Sequence, residues 1–129
     1  MMRLLGAELV AVEAGRVAIA APVRPETSQQ HGYAHAGLAW TIGDSAAGYS
    51  ALSLTGAGEE VLTSEMKIHL LAPARGARLV AEGRVLRAGR RLIVVAAEIW
   101  AEIWAEDAAA PRRHVATMLG TMIPLAGGE

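Results

Sequence analysis

Most of this chain is patterned as β-strand, and a single long stretch departs from that pattern. Residues 7–23 show no apolar residues at helical spacing. Segments 7–12 and 16–22 flank a turn at Glu13-Ala14-Gly15-Arg16, and the second is rich in Val, Ile and Ala. This pattern predicts an antiparallel hairpin, which Pro22 and Pro25 end.

The exceptional stretch covers residues 37–54 and predicts one long helix. Its larger apolar residues, Leu38, Ile42, Tyr49 and Leu52, are separated by Ala and Gly. That composition suits a helix buried over much of its circumference. Residues 24–36 before it read as a loop, and Gly56-Ala57-Gly58 is expected to close it.

The remainder predicts four strands, at 60–71, 77–87, 91–105 and 114–124. Ala72-Pro73, the Ala88-Gly89-Arg90 turn and a polar connection at 107–112 separate them. Strands without intervening helices favour antiparallel pairing. Five or six strands with one helix bury enough surface only if the sheet curls around that helix. We therefore expect an α+β fold in which residues 1–129 form one domain.

A tandem copy interrupts the last part of this pattern, since residues 97–100 (AEIW) are repeated at 101–104. Four is an even number, so the copy preserves the face on which each later strand residue lies. The sequence leaves three interpretations open: a strand that runs past the sheet, a bulge, or a copying artefact without structural meaning.

Composition narrows the possible function classes. Of 129 residues, 53% are hydrophobic but only 4% are aromatic, so aliphatic side chains and Ala must fill the core. The many Ala and Gly residues favour close approach of elements or burial by a second subunit. A net charge of −1 gives no reason to expect nucleic acid or an anionic membrane as partner.

Several kinds of chemistry are also disfavoured. The chain has no Cys, so it offers no disulfide and no thiolate. Its four His residues lack zinc-site spacing, and no metal or redox cofactor is expected. No apolar run reaches about 18 residues, and early acidic residues argue against a secretory leader. A cytoplasmic location is the expectation.

Asp44 carries the strongest chemical signal because it is the only charged residue in 36–52. A buried carboxylate is costly unless it is used. Seven residues separate Asp44 from Gly37, which places both on nearly one helix face about 10 Å apart. The N–H groups of Ala36, Gly37 and Leu38 lack intrahelical acceptors and favour negative charge. This combination predicts an acyl-transfer site, with the helix N-terminus of the same or a neighbouring subunit as oxyanion hole. The alternative is an Asp44 that merely faces solvent.

Further polar residues are candidates for positioning the substrate or a water. His35 precedes the helix, Gln29 lies in the loop, and Thr63 lies on the following strand. His31 is a weaker candidate for the same work. Each has a plainer interpretation: a helix-capping ring for His35, an ordinary loop residue for Gln29, and an ordinary strand residue for Thr63.

A basic cluster surrounds the predicted turn after residue 87. Arginine binds phosphate bidentately, so the cluster suits a phosphate-rich ligand such as the tail of coenzyme A. The alternative is a solvated hairpin surface. Its members are Arg84, Arg87, Arg90 and Arg91, with Arg75 and Arg78 around Gly76.

Taken together, Gln29, His35-Ala36-Gly37 and Asp44-Ser45-Ala46 resemble the phenylacetate-pathway (PaaI-like) branch of the hotdog-fold acyl-CoA thioesterases. The resemblance covers nearly the whole chain, including Met66–Pro73, Gly89-Arg90 and Gly120-Thr121. It implies a hotdog fold, in which a curved antiparallel sheet wraps a central helix, and acyl-CoA as the substrate. It also implies homodimers, commonly paired into tetramers, with sites built across subunits.

The resemblance gives each matching residue a role. It makes Asp44 the general base or nucleophile and Ala36 and Gly37 the oxyanion donors, while His35 and Gln29 orient the thioester or water. Thr63 stands where some relatives carry a water-positioning Ser. The usual His-Gly-Gly is His-Ala-Gly here, which keeps the N–H but adds a methyl group.

Two rival functions stay open at this point. One is a non-catalytic acyl-CoA-binding or regulatory module on the same fold, which the presence of Asp44 disfavours. The other is a hydratase or dehydratase, and the Asp-x-Asn-Pro-x-His pattern expected of one such branch is missing.

Overall fold

The computed structural model describes residues 1–103 and 111–126. The chain forms a short helix α1, a hairpin, a long helix α2 and four more strands. Their bounds are α1 Met2–Leu5, β1 Glu8–Glu13, β2 Arg16–Pro22, α2 Ala36–Leu52, β3 Glu59–Leu70, β4 Arg78–Ala88, β5 Ile93–Glu102 and β6 Arg112–Ala126, with a 3-10 turn at Pro25–Thr27.

The six strands form one antiparallel sheet in the order β1-β2-β4-β5-β6-β3. The strand after the helix, β3, therefore does not pair with its successor β4 but lies at the far edge against β6. Helix α2 packs against β2, β3, β4 and β5. This matches the α+β architecture predicted from the strand pattern, with one helix serving the whole sheet.

Small residues allow α2 to lie close to the sheet. A Cβ added to Gly83 of β4 would lie 2.5 Å from the backbone carbonyl of Ala46 in α2. Ala46 and Ala47 are fully buried at this contact. The abundance of Ala and Gly is thus explained by helix–sheet contact over the core, at positions where a larger residue would clash.

The predicted elements agree with the structure to within a few residues. Helix α2 begins at Ala36, one residue before the prediction, and ends at Leu52, two residues before it. Helix α1 was not predicted. Residue 112, placed in the polar connection, belongs to β6. Pro111 lies outside any strand, as predicted, and residues 107–110 of that connection lie outside the described residues.

The tandem copy lies across the end of β5. Its first unit and Ala101-Glu102 are in the strand, Ile103 follows it, and residue 104 lies outside the described residues. The β5–β6 register shifts between Ile99 and Trp100, inside the first unit. A bulge therefore accompanies the copy, and within the described residues the strand does not run past the sheet.

The burial of α2 and β3 is incomplete. Trp40 and Tyr49 of α2 are 37% and 43% exposed, and Leu62 and Leu70 of β3 are each 59% exposed. β3 also has an unpaired edge, which is a template for further strand pairing. Within residues 1–103 and 111–126, no helix is long and apolar enough to span a bilayer.

Candidate functional site

A cavity of about 610 Å³ opens beside the N-terminus of α2. The loop before the helix supplies Gln29, Tyr33 and His35, the first helical residue Ala36 follows, and segment 70–74 with β6 forms the opposite wall. The Ala34 N–H donates to the Ala74 carbonyl at 2.8 Å and holds the two walls together. We call this space the helix-end cavity.

His35 caps the helix rather than standing free. Its Nδ1 accepts a hydrogen bond from the Gly37 N–H at 2.8 Å, and its carbonyl accepts from the Leu38 N–H at 3.0 Å. An accepting Nδ1 places the proton of the neutral ring on Nε2. The plainer interpretation of His35 as a capping residue is therefore correct for the ring nitrogen, and Nε2–H remains a donor.

This cap separates the two predicted oxyanion donors. The Gly37 N–H is engaged by His35, and Gly37 lines a different, smaller cavity with Leu38 and Thr41. The Ala36 N–H has no acceptor among the described residues, and Ala36 lines the helix-end cavity. Ala36 is consequently the better-placed donor for a ligand oxygen in that cavity.

Gln29 sits in a tight turn at the cavity wall. Its N–H donates to the Tyr33 carbonyl at 2.8 Å, its carbonyl accepts from the Gly32 N–H at 3.0 Å, and its side-chain oxygen accepts from the His31 N–H. The side-chain NH₂ has no acceptor among the described residues and is the group that can reach a ligand. His31 itself is exposed and does not line the cavity.

Asp44 and Thr63 are brought together by tertiary packing. The Thr63 hydroxyl of β3 donates to Asp44 Oδ1 at 2.6 Å. The two residues line a cavity of about 300 Å³ that also includes Tyr49 and Met122, which we call the carboxylate cavity. One carboxylate oxygen of Asp44 is thus held by Thr63. The other oxygen has no hydrogen-bond partner among the described residues.

The helix-end and carboxylate cavities have no lining residue in common. Asp44 lies two turns along α2 from Ala36, about 12 Å at 1.5 Å per residue. A carboxylate and an oxyanion donor that act on one carbonyl must each reach it at hydrogen-bond distance. Within one chain the two groups therefore do not reach one carbonyl.

The arginines predicted to bind phosphate fall into different places. Arg84 points away from the helix, because its neighbour Gly83 faces α2, and its Nη1 lies 2.6 Å from Glu98 Oε2. Arg87, Arg90 and Arg91 are exposed around the β4–β5 turn. None of the four lines the helix-end or carboxylate cavity, and Arg84 is committed to an ion pair instead.

The partner of Arg84 belongs to a polar network that the sequence analysis did not anticipate. Burial alone would raise the pKa of Glu98, but hydrogen bonds from Thr117 and Arg84, the Arg84 charge and the contact with His114 together hold it below its usual value. The His114 ring stacks on Trp100 at 4.5 Å. This network lies on the sheet face opposite α2 and stabilises the fold rather than the site.

In the described ranges, no three His, Cys, Asp or Glu side chains are grouped so that they could hold a metal ion. The polar groups that line the two cavities are the Asp44 and Glu60 carboxylates, the hydroxyls of Tyr33, Ser45, Tyr49 and Thr63, the His35 imidazole, the Gln29 amide and the Ala36 N–H.

Comparison with known proteins identifies the family. Residues 31–105 match the thioesterase superfamily model, and these residues include Ala36, Asp44 and Thr63. The chain belongs to the thioesterase superfamily.

Individual relatives of this superfamily agree. A thioesterase family protein from Silicibacter pomeroyi has 38% identity and a TM-score of 0.91, over 98% of this chain and 89% of that one. A protein from Saccharolobus solfataricus described as an esterase is 32% identical over 76% of this chain and 69% of its own length. The predicted hotdog fold and the predicted thioester hydrolase are confirmed.

The named branch of the superfamily is also represented among the solved structures. PaaI of the phenylacetic acid degradation operon of E. coli superposes with a TM-score of 0.81 at 21% identity, over 98% of this chain and 84% of that one. At this identity the likeness is one of fold, and it agrees with the PaaI-like resemblance of the motif residues.

Proposed function

We propose that this thioesterase hydrolyses acyl-CoA, using Asp44 of one copy and the Ala36 N–H of a second copy at each site. The observation that carries the proposal is the separation of the two groups into different cavities of one chain, each with half of the required chemistry. A thioester carbonyl held at the helix-end cavity would accept a hydrogen bond from Ala36, and Asp44 of the other copy would flank it.

The exposed surface supports such a pairing. β3 carries both an unpaired edge and Thr63, and the neighbouring face of α2 exposes Trp40 and Tyr49 on either side of Asp44. A second copy joined along β3 would cover these aromatic rings and complete the strand pairing. Isologous contact of this kind generates two equivalent sites in a homodimer. Pairing of dimers into tetramers, as the resemblance implies, stays a prediction.

The reaction follows from these groups. Asp44 removes a proton from a water, whose oxygen attacks the thioester carbon, and the Ala36 N–H stabilises the resulting oxyanion. The C–S bond then breaks, the acid is released and the coenzyme A sulfur takes up the proton. Asp44 can alternatively attack the carbon itself, and water then hydrolyses the resulting anhydride. Neither route requires a metal or a redox cofactor.

Thr63, His35 and Gln29 take supporting roles in this proposal. Thr63 holds Oδ1 of Asp44, which aims the free oxygen at the water or substrate. The His35 Nε2–H and the Gln29 amide line the helix-end cavity and orient the thioester. With coenzyme A as part of the substrate, we expect the activity in the cytoplasm.

The testing experiment is a hydrolysis screen with aryl-, short- and long-chain acyl-CoA, with thiol release as readout, together with light scattering to measure oligomer size. Asp44→Asn should lower kcat at least a hundredfold with an unchanged melting temperature, since Asp44 makes no ion pair within the described residues. Tight binding of acyl-CoA without turnover by the parent would instead favour the non-catalytic binding module.

A further inference from the structure

The hydroxyl group of Thr63 lies between two acceptors in the carboxylate cavity. Its Oγ1 is 2.6 Å from Asp44 Oδ1 on one side and 3.3 Å from Met122 Sδ on the other. A hydroxyl carries one hydrogen and donates to one acceptor at a time, whereas its oxygen can accept two hydrogen bonds. The reaction described above uses the contact with Asp44 and leaves the contact with the sulfur without a role.

The register of the sheet places this sulfur beside the hydroxyl. Thr63 of β3 and Met122 of β6 are direct partners in the antiparallel pairing, and the register shifts between Thr63 and Glu65. Such a bulge changes the direction of neighbouring side chains. Met122 is 1% exposed and packs in an apolar cluster with Ala47 and Val95. The thioether, a weak acceptor, is thus held at a fixed position next to Thr63.

The charge of Asp44 decides which acceptor the hydroxyl prefers. An ionised carboxylate is the stronger acceptor, and 2.6 Å is a typical length for a hydrogen bond from a hydroxyl to a carboxylate. When Asp44 takes a proton from water, its oxygens accept more weakly and the carboxyl group becomes a donor. The Thr63 hydroxyl can then turn to Met122 Sδ, and its oxygen is free to accept a hydrogen bond from the Asp44 carboxyl group.

Other ionisable side chains also face Asp44 in this cavity. Among the described lining residues, α2 contributes Tyr49, β3 contributes Glu60, and β6 contributes Met122, which has no charge. No cation is found among them. Tyr49 and Glu60 act on Asp44 whether or not the sulfur is present, so they cannot produce an effect that depends on the Thr63 hydroxyl.

We infer that Met122 is a positioning residue of the reaction, and that its sulfur receives the Thr63 hydroxyl while Asp44 is protonated. The inference rests on the proposed function, in which Asp44 takes a proton from water and releases it to the coenzyme A sulfur. With Met122, Thr63 has a full set of partners in both charge states of Asp44. Without the sulfur, the hydroxyl favours only the ionised form, and Asp44 becomes a weaker base.

The test follows the acid limb of the pH profile of kcat/KM, where activity falls as Asp44 becomes protonated. Met122→Leu keeps the side-chain volume but removes the sulfur, which destabilises the protonated form. The limb should move to lower pH by about 0.4 unit, the size of a weak hydrogen bond, and kcat at neutral pH should fall about twofold with KM unchanged.

Thr63→Val should move the same limb in the opposite direction. It removes the donor to the ionised form, so the limb should move to higher pH by about one unit. In the double variant, Met122→Leu should have no further effect, because the hydroxyl through which the sulfur acts is gone.

Met118→Leu is the matched control, since it makes the same exchange four residues away on the same face of β6. Met118 is 2% exposed, and a Cβ added to Gly43, the neighbour of Asp44, would collide with its sulfur. Among the described residues, its sulfur has no hydroxyl contact like that of Met122. Met118→Leu should leave the acid limb in place. Norleucine has a CH₂ group in place of sulfur, and its incorporation at all five methionines should reproduce the Met122→Leu shift without a branched side chain.

The charge of Asp44 can also be measured without catalysis. The chain has two aspartates, Asp44 and Asp107, so ¹³C labelling of aspartate Cγ gives two NMR signals, and Asp44→Asn assigns them. If no acyl-CoA is hydrolysed but the Asp44 signal titrates at lower pH in Met122→Leu and at higher pH in Thr63→Val, the activity fails and the exchange of hydrogen-bond partners stands. If acyl-CoA is hydrolysed and Met122→Leu titrates as the parent does, the role of Met122 fails alone.

Three further results would overturn the inference. A shift to higher pH in Met122→Leu would mean that the sulfur does not stabilise the protonated form. A double variant whose shift equals the sum of the two single shifts would show that the sulfur acts on Asp44 directly rather than through Thr63. An equal shift in Met118→Leu would show an effect of packing beneath α2.

Discussion

Replacement of Ala36 by proline removes one backbone N–H and little else, which makes it the sharpest test of the oxyanion hole. Ala36 is the first residue of α2, where proline is tolerated because the N–H has no intrahelical acceptor. The preceding residue, His35, already has φ −63° and ψ 142°, the extended conformation that a residue before proline favours. We therefore expect the helix and the His35 cap to persist.

The expected loss follows from the role of a single donor. Removal of one oxyanion-hole hydrogen bond costs about 10²–10³ in kcat, or roughly 3–4 kcal/mol of transition-state stabilisation. Steady-state kinetics with the best acyl-CoA from the screen measures this loss, and thermal unfolding should shift by no more than about 2 °C. Ala36→Ser keeps the N–H and should retain most of the activity. A proline variant with more than a third of parental kcat refutes the assignment to Ala36 and returns the role to Gly37, with the His35 ring moved aside.

The same variant tests whether the site spans two copies. Subunits with Ala36→Pro and subunits with Asp44→Asn are each expected to be nearly inactive. In a random mixture, half of the dimers are mixed and each has one intact composite site, so refolding together should restore about a quarter of parental activity. A mixture as inactive as its components would place both groups in one chain.

Three further predictions concern single contacts. Thr63→Val keeps the shape of the side chain but removes the donor to Asp44, and kcat should fall about tenfold to a hundredfold, whereas Thr63→Ser should retain it; equal rates for both would contradict the positioning role. Gly83→Ala should lower the free energy of unfolding by about 1–3 kcal/mol in urea titrations because its Cβ would overlap the backbone of α2, and an unchanged midpoint would show that the helix can retreat. Because the pKa of Glu98 is lowered in the folded state, its ionised form stabilises the fold above about pH 4.5 and this contribution is lost as pH falls through the lowered value. Melting temperatures of the parent should therefore exceed those of Glu98→Gln at neutral pH and converge in acid; a constant gap would exclude the linkage.

The prediction of the elements succeeded where local pattern and local chemistry agree. The hairpin of β1 and β2 and the position of α2 follow from Gly15, from the prolines and from small apolar spacing, all of which act within a few residues. Helix α1 was missed because four residues give too short a pattern for a period to be recognised. The edge position of β3 was not predictable, since pairing with β6 depends on long-range packing.

The candidate site divides in the same way. A lone charge in an apolar helix marked Asp44, and the polar loop before the helix marked Gln29 and His35. The sequence did not show that the His35 ring accepts the hydrogen bond of the Gly37 N–H. A histidine before a helix can cap it or point into a cavity, and the residue type alone does not distinguish the two conformations. It also predicted a phosphate-binding cluster from the density of arginines along the chain, whereas Arg84 forms an ion pair with Glu98.

By itself, the sequence determined the composition of the core and the type and approximate bounds of each longer element. It also marked Asp44, the only charged residue in the apolar helix, as the candidate for chemistry. Those properties depend on neighbours within a few residues, where periodicity and steric rules apply. Only the tertiary structure decided that Thr63 holds Asp44, that Ala36 rather than Gly37 faces the larger cavity, and that Arg75 meets Tyr33. These contacts join residues far apart in the chain, and they form only once the sheet order and the path of each loop are fixed.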